Sequence, residues 1–212
     1  MKKFFILCLM AIAVCSCNLT RYETVEIDLP MEGFINDFLT NNPNFLTNDV
    51  TVEKGNEVFI KNLEDTLKTT DGSRNLFDGI PVRLKTINKN KRLGGYVAQF
   101  DSWVEPYNFD FHYVNDINFD AFCMIPDSLA MTLQEDKHYI VDWTYARHLT
   151  YDQCTLLLGK RTSIWNDIVE IQKDKTFSSD YFQRKVNLGC VLLLFNDIKE
   201  YKCRETQTVE KK

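Results

Sequence analysis

The chain reads as an α+β protein weighted towards β, because its hydrophobic period changes near residue 80. Upstream of that point apolar residues recur every three or four positions, the spacing of a helix face; downstream they alternate, the spacing of a strand with one buried face. No internal repeat or low-complexity block interrupts either pattern.

The elements follow in order. Phe34, Ile35, Phe38 and Leu39 form a first helical stripe that halts at Asn41-Asn42-Pro43. A second helix is predicted from Glu57 to Leu67, with Phe59, Ile60, Leu63 and Leu67 on one side and Lys61, Glu64, Asp65 and Lys68 opposite. Val82, Leu84 and Ile87 then mark a strand, Lys89 to Arg92 a basic turn, and Gly95 to Phe100 a second strand. Phe109, Phe111 and Tyr113 alternate with Asp110 and His112. Ile117, Phe119, Ala121 and Cys123 alternate with Asp116, Asn118, Asp120 and Phe122, which predicts the first set inward and most of the second in solvent. Pro126-Asp127-Ser128 opens a short helix over Leu129 to Gln134, with Asp127 as its cap. Lys137 to Tyr145 is a strand presenting Tyr139, Val141, Trp143 and Tyr145 on one face, and Tyr151 to Leu158 reads as another. Beyond Gly159 each of the apolar stretches Ile168 to Ile171 and Val186 to Phe195 predicts one more element, before a polar tail from Arg204.

The beginning of the chain carries an address. Lys2 and Lys3 precede the apolar run Phe4 to Val14, a charged and hydrophobic pair typical of export signals and too short to cross a bilayer. Val14-Cys15-Ser16-Cys17 resembles a bacterial lipobox, which implies a lipoprotein signal over 1–16 and palmitate-type acylation of Cys17 as the membrane anchor. The alternative is an ordinary signal peptide cut nearby, or an uncleaved anchor. Asn18 stands where such families carry Asp as an inner-membrane retention cue, so the resemblance implies a cell-envelope protein of the outer membrane. Residues 17–30 would be a polar tether, 31–75 a helical region, 76–160 the strand-rich domain and 161–212 an extension packing on it.

Charge and cysteines narrow the function classes. The 25 Lys and Arg against 30 Asp and Glu give a net charge of −5, which loss of Lys2 and Lys3 would deepen. An acidic surface disfavours nucleic acid as a partner. With Cys8 and Cys15 removed and Cys17 acylated, Cys123, Cys154, Cys190 and Cys203 remain: two disulfides in any of three connectivities, or free buried thiols. No Cys/His spacing suggests zinc, and no cofactor motif is present.

Strands, one short helix, then strands is the order of an OB-fold, a five-stranded Greek-key barrel with a helix between strands three and four. Phe122-Cys123-Met124, Asp127-Ser128-Leu129-Ala130, Leu133 to Lys137, Ile140-Val141-Asp142-Trp143 and Tyr151 to Leu156 together resemble the exported OB domains named for their likeness to the anticodon-binding domain of transfer-RNA synthetases. The likeness covers about a third of the chain, with Asp136 standing where glycine is commoner. It implies an OB-like barrel preceded by helices, and a binding role of unspecified kind.

Candidate chemistry is sparse. Asp116, Asn118 and Asp120 imitate the opening of a calcium loop, but its sixth place is Ala121 where glycine is needed, so a solvated strand face is the better reading. His112, His138 and His148 stand apart from ligands at metal spacing, and no nucleophile motif accompanies the His112/Asp110 pair. Trp103, Tyr107, Phe109, Phe111 and Tyr113 cluster within a short span, and exposed rings on an OB barrel stack bases or sugars. The sequence therefore favours a lipid-anchored, non-enzymatic binding or assembly module recognising an envelope protein or glycan. An envelope hydrolase using Asp110 or Glu105, or a purely structural lipoprotein, are the alternatives.

Overall fold

The computed structural model describes residues 29–69, 75–102, 115–164, 167–173 and 184–201. Cys17, the segment from Trp103 to Tyr113 and Cys203 lie outside those residues. The described part is α+β and mostly β, as the change of period predicts: four helices and one six-stranded sheet.

Helices α1 (Pro30–Asn41) and α2 (Asp49–Thr69) come first. Pro30 at the start of α1 costs nothing, since its missing N–H would have had no partner in the first turn. The predicted stripes face one another through aromatic rings: Phe38 meets Phe59 at 5.1 Å and Phe45 at 5.5 Å between centroids. The Phe45 ring lies over Gly55 of α2, where only a residue without Cβ leaves it room. Phe59 and Leu63, with Ile35 and Met31 of α1, continue into the main core.

Strands β1 (Pro81–Asn90), β2 (Gly95–Asp101) and β3 (Asn115–Ile125) form an antiparallel meander. A four-residue helix α3 (Asp127–Ala130) follows, then β4 (His138–Leu149), helix α4 (Tyr151–Leu158), β5 (Val169–Lys173) and the long β6 (Arg184–Glu200). The sheet order is β3-β2-β1-β4-β6-β5, and β3 also pairs with β6. That last pairing is parallel, whereas β1–β4, β4–β6 and β5–β6 are antiparallel.

Three expectations need correction. Tyr151 to Leu158 is a helix and not a strand: Thr150 Oγ1 accepts from the Gln153 amide while the Gln153 side chain accepts from the Thr150 amide, a capping box that starts a helix whatever the β-propensity inside it. Cys154, expected on that strand, is therefore on a helix, and the last strand cysteine among the described residues is Cys190 of β6. The short helix after Pro126 is α3, which ends at Ala130 instead of Gln134 and has Pro126 as its N-cap, with no side-chain cap bond from Asp127. Asp136 adopts φ +65°, which explains why glycine is the commoner residue at such a turn and why an Asp, tolerant of left-handed backbone, substitutes.

Gly189 sits where β6 changes partner. Up to Leu188 the strand pairs with β5, and from Cys190 onward with β4. Its φ of +69° makes the kink, and the β3–β6 register slips at the same level. On the far side of β5, Asn56 of α2 bonds the backbone of Ile171 at both ends: Oδ1 accepts from its N–H at 2.8 Å and Nδ2 donates to its carbonyl at 3.5 Å.

The two faces of β1, β2 and β3 are both buried. Val82, Leu84, Ala98, Phe100, Phe119, Ala121 and Cys123 join α1 and α2 in the main core. On the opposite face Val97 and Phe122, with Cys190 of β6, pack under Cys154 and Leu158 of α4. The strict alternation of β3 therefore separates two buried layers and not a core from solvent. Tyr139, Val141 and Trp143 are core residues, with Trp143 edge-on to Phe100 at 5.9 Å.

Candidate functional site

Beside α4, the same outer face of β1, β2 and β3 carries a charged cluster. Asp101 and Asp120 are directly opposed across β2 and β3 and both fully buried, an arrangement that repels unless cations intervene. Two do. Arg83, opposite Asp101 on β1, forks onto its carboxylate, with Nη2 2.8 Å from Oδ2 and Nε 3.2 Å from Oδ1. Lys85 reaches the second carboxylate at 3.1 Å and stands 3.8 Å from the first. It can do so because the β1–β2 register slips between Leu84 and Thr86, so Lys85 is the extra residue of a bulge and its side chain is re-aimed across β2.

The backbone and amides complete the cluster. Gln99, wholly buried on β2 between the two cations' partners, donates Nε2 to Asp120 Oδ1 at 2.9 Å and to the carbonyl of Ser163 at 3.1 Å. Its Oε1 accepts from Thr162 Oγ1 at 2.6 Å, and Lys85 Nζ donates to the Ser163 carbonyl at 2.9 Å. The strap 159–164 that leaves α4 is thus tied down over the charges. Two carboxylates and two cations neutralise one another, and that balance is what permits burial. Chemically the cluster is a rigid, satisfied polar anchor. Asp120, expected in solvent, is instead its centre; no periodicity could show that, since the strap covering it comes from Thr162 and Ser163, far downstream in the sequence.

Asn90, at the end of β1, ties that same C-terminal end of α4 to the hairpin turn. Its Nδ2 donates to the carbonyls of Leu156 and Leu157 at 3.2 and 2.6 Å, and its Oδ1 accepts from the amides of Arg92 and Leu93. Those C-terminal carbonyls have no partner within the helix, so Asn90 acts as a remote cap.

His148 links two strands through both ring nitrogens. Its Nε2 lies 3.2 Å from the Leu188 carbonyl, which can only accept, so Nε2 carries the proton and Nδ1 accepts from Tyr145 Oη at 2.9 Å. Burial holds the His148 pKa below its ordinary value and pushes that of Tyr145 up. Neutral imidazole between a hydroxyl and a carbonyl is a structural link from β4 to β6.

Asp110, His112 and Glu105, and the ring cluster Trp103, Tyr107, Phe109, Phe111 and Tyr113, fall outside the described residues. Among the described residues no group of three or more His, Cys, Asp or Glu is placed to hold a metal ion. Cys123, Cys154 and Cys190 are buried free thiols. Among those residues, too, no helix is long and apolar enough to cross a membrane. No protein-family model, curated protein or solved structure matches the chain.

Proposed function

We propose that this chain is a lipid-anchored envelope protein whose sheet is an OB-like barrel serving as a non-enzymatic binding or assembly module. The observation that carries the reading is the circuit of strand pairing: β1 to β2, β2 to β3, β3 to β6 in parallel, β6 to β4, and β4 back to β1. With α3 between β3 and β4, that circuit fits the connectivity expected of a Greek-key OB barrel, β6 taking the place of its fifth strand and β5 and α4 being additions.

The circuit also suggests where a partner would bind. The outer face of β1 to β3 that such barrels use for ligands is already occupied by α4 and its strap, so recognition falls to the β2–β3 connection with Trp103, Tyr107, Phe109, Phe111 and Tyr113. Ser102, the last described residue before that connection, is fixed to β3: its Oγ accepts from the Phe119 amide at 2.8 Å and donates to the Ile117 carbonyl at 2.9 Å. The ligand class is an envelope protein or glycan, reached from a membrane held through Cys17.

Two measurements test it. Cys17→Ala is expected to abolish palmitate labelling and to move the protein from the membrane to the soluble fraction; labelling that persists overturns the anchor. Photo-crosslinking residues placed at Tyr107 and Phe111 in living cells are expected to capture one discrete partner, where placements at Val50 and Val58 on the exposed side of α2 do not. Equal yields from both sets would remove the β2–β3 connection as the recognition surface.

A further inference from the structure

The four mature cysteines leave three pairings open on sequence alone, and the fold separates them. Cys123 points into the main core with Ala98 and Ile125, on the face of β3 turned to α1 and α2. Cys154 and Cys190 lie on the other face, in one small buried cluster with Val97, Phe122, Leu149 and Leu158. Register explains the approach. Cys190 is paired with Leu149, the last residue of β4; Thr150 then caps α4, and Cys154 comes one turn into the helix, directed back at the strand. Both side chains are fully buried.

We propose that Cys154 and Cys190 form a disulfide that staples α4, and with it the strap 159–164, onto the outer face of the sheet. The bond rests on the envelope reading for its oxidising surroundings. It forms by exchange with a disulfide-bearing oxidant, a dithiol–disulfide oxidase in the envelope or oxidised glutathione in the tube. One cysteine thiolate attacks the oxidant to give a mixed disulfide and a released thiol. The second cysteine thiolate displaces the other half as a second thiol. Two cysteine thiols and one disulfide thus become one protein disulfide and two small thiols, with both protons carried by the departing sulfur.

Two features of the site set its behaviour. Hydrogen bonding with Cys154 and burial push the Cys190 thiol far above its ordinary pKa, so little thiolate exists while α4 is docked. Oxidation therefore belongs to the folding chain or to an opening of α4, and the closed, reduced protein is slow to react. Once formed, the bond closes the segment from Cys154 through the strap, β5 and the start of β6, a long loop whose constraint raises stability.

The test uses the full chain after signal removal. Refolding from denaturant in oxidised and reduced glutathione, followed by peptide mapping, is expected to return a Cys154–Cys190 cross-linked peptide, and to do so equally in Cys203→Ser. Oxidation is expected to raise the melting temperature by roughly 10 °C, a shift that dithiothreitol reverses and that Cys154→Ala lacks. Linkage of Cys123 or Cys203 to either residue, or two free thiols at these positions after refolding under oxidant, overturns the proposal. Because the bond is read in vitro, it stands or falls apart from the export reading. If the glutathione experiment succeeds while protein isolated from cells is reduced and unlabelled by palmitate, the disulfide chemistry holds and the envelope location fails.

Discussion

Lys85 Nζ lies 3.1 Å from Asp120 Oδ1, spanning the width of β2 to join β1 to β3 from the bulge that aims it there. Asp120 is fully buried and Lys85 mostly so, and each supplies the opposite charge that the other faces across β2. Removing one partner strands the other. Lys85→Ala is expected to cost about 3–5 kcal/mol in urea unfolding, whereas Lys85→Met combined with Asp120→Leu should recover most of that loss. Equal destabilisation by the single and double variants would mean that packing, and not charge, holds this face together.

Thr150 and Gln153 exchange hydrogen bonds at the start of α4, and the helix is only two turns long. Thr150→Ala is expected to lower stability by about 1 kcal/mol and to speed proteolysis within 151–164 more than elsewhere. Cleavage confined to other segments would show that α4 is held by its packing on Val97 and Phe122 alone.

Gly189 and Gly94 have nearly the same left-handed backbone, φ +69° and +70°, but different surroundings. A Cβ at Gly94 meets nothing within 4 Å, while one at Gly189 would stand 3.1 Å from the Asp167 carbonyl oxygen. Gly94→Ala should therefore cost about 1 kcal/mol for backbone strain, and Gly189→Ala measurably more by denaturant titration. Similar costs would assign the whole effect to φ.

His148 is half-buried between Tyr145 and the Leu188 carbonyl, with the Glu64 and Lys68 charges of α2 also acting on it. Its folded pKa is below the ordinary 6.5, burial being the main cause, so the unfolded chain takes up a proton first as pH falls. Its contribution is complete above about 6.5 and is lost as pH drops from there through the lowered folded value. Melting temperatures between pH 7 and 5 should fall more steeply in the native protein than in His148→Gln; parallel slopes would place the acid sensitivity elsewhere.

The change of period near residue 80 located both long helices and most strands because each presents one apolar face to one core, which is what periodicity records. It misassigned Tyr151 to Leu158, where a β-rich composition conflicts with a capping box lying just at its start, and the backbone bonds at Thr150 decide. Alternation along β3 predicts Asp120 in solvent, but its face of the sheet lies beneath a strap and Asp120 is buried. Cover supplied from distant sequence leaves no local trace: neither the hydrogen bonds from Thr162 and Ser163 to Gln99 and Lys85 nor those of Asn90 to the end of α4 follow from any spacing. The bulge at Lys85 is equally silent, since an extra residue in a strand looks like a break in alternation and nothing more.

Among the described residues β5 is the strand with a single partner, and its free side is where another chain would add. Asn56 engages the amide and carbonyl of Ile171 there, presenting a helix side chain in place of a further strand. A sheet open at β5 would recruit further copies of the chain edge to edge. By spending one asparagine of α2 on that edge, the fold withholds the template from which cross-β association would grow.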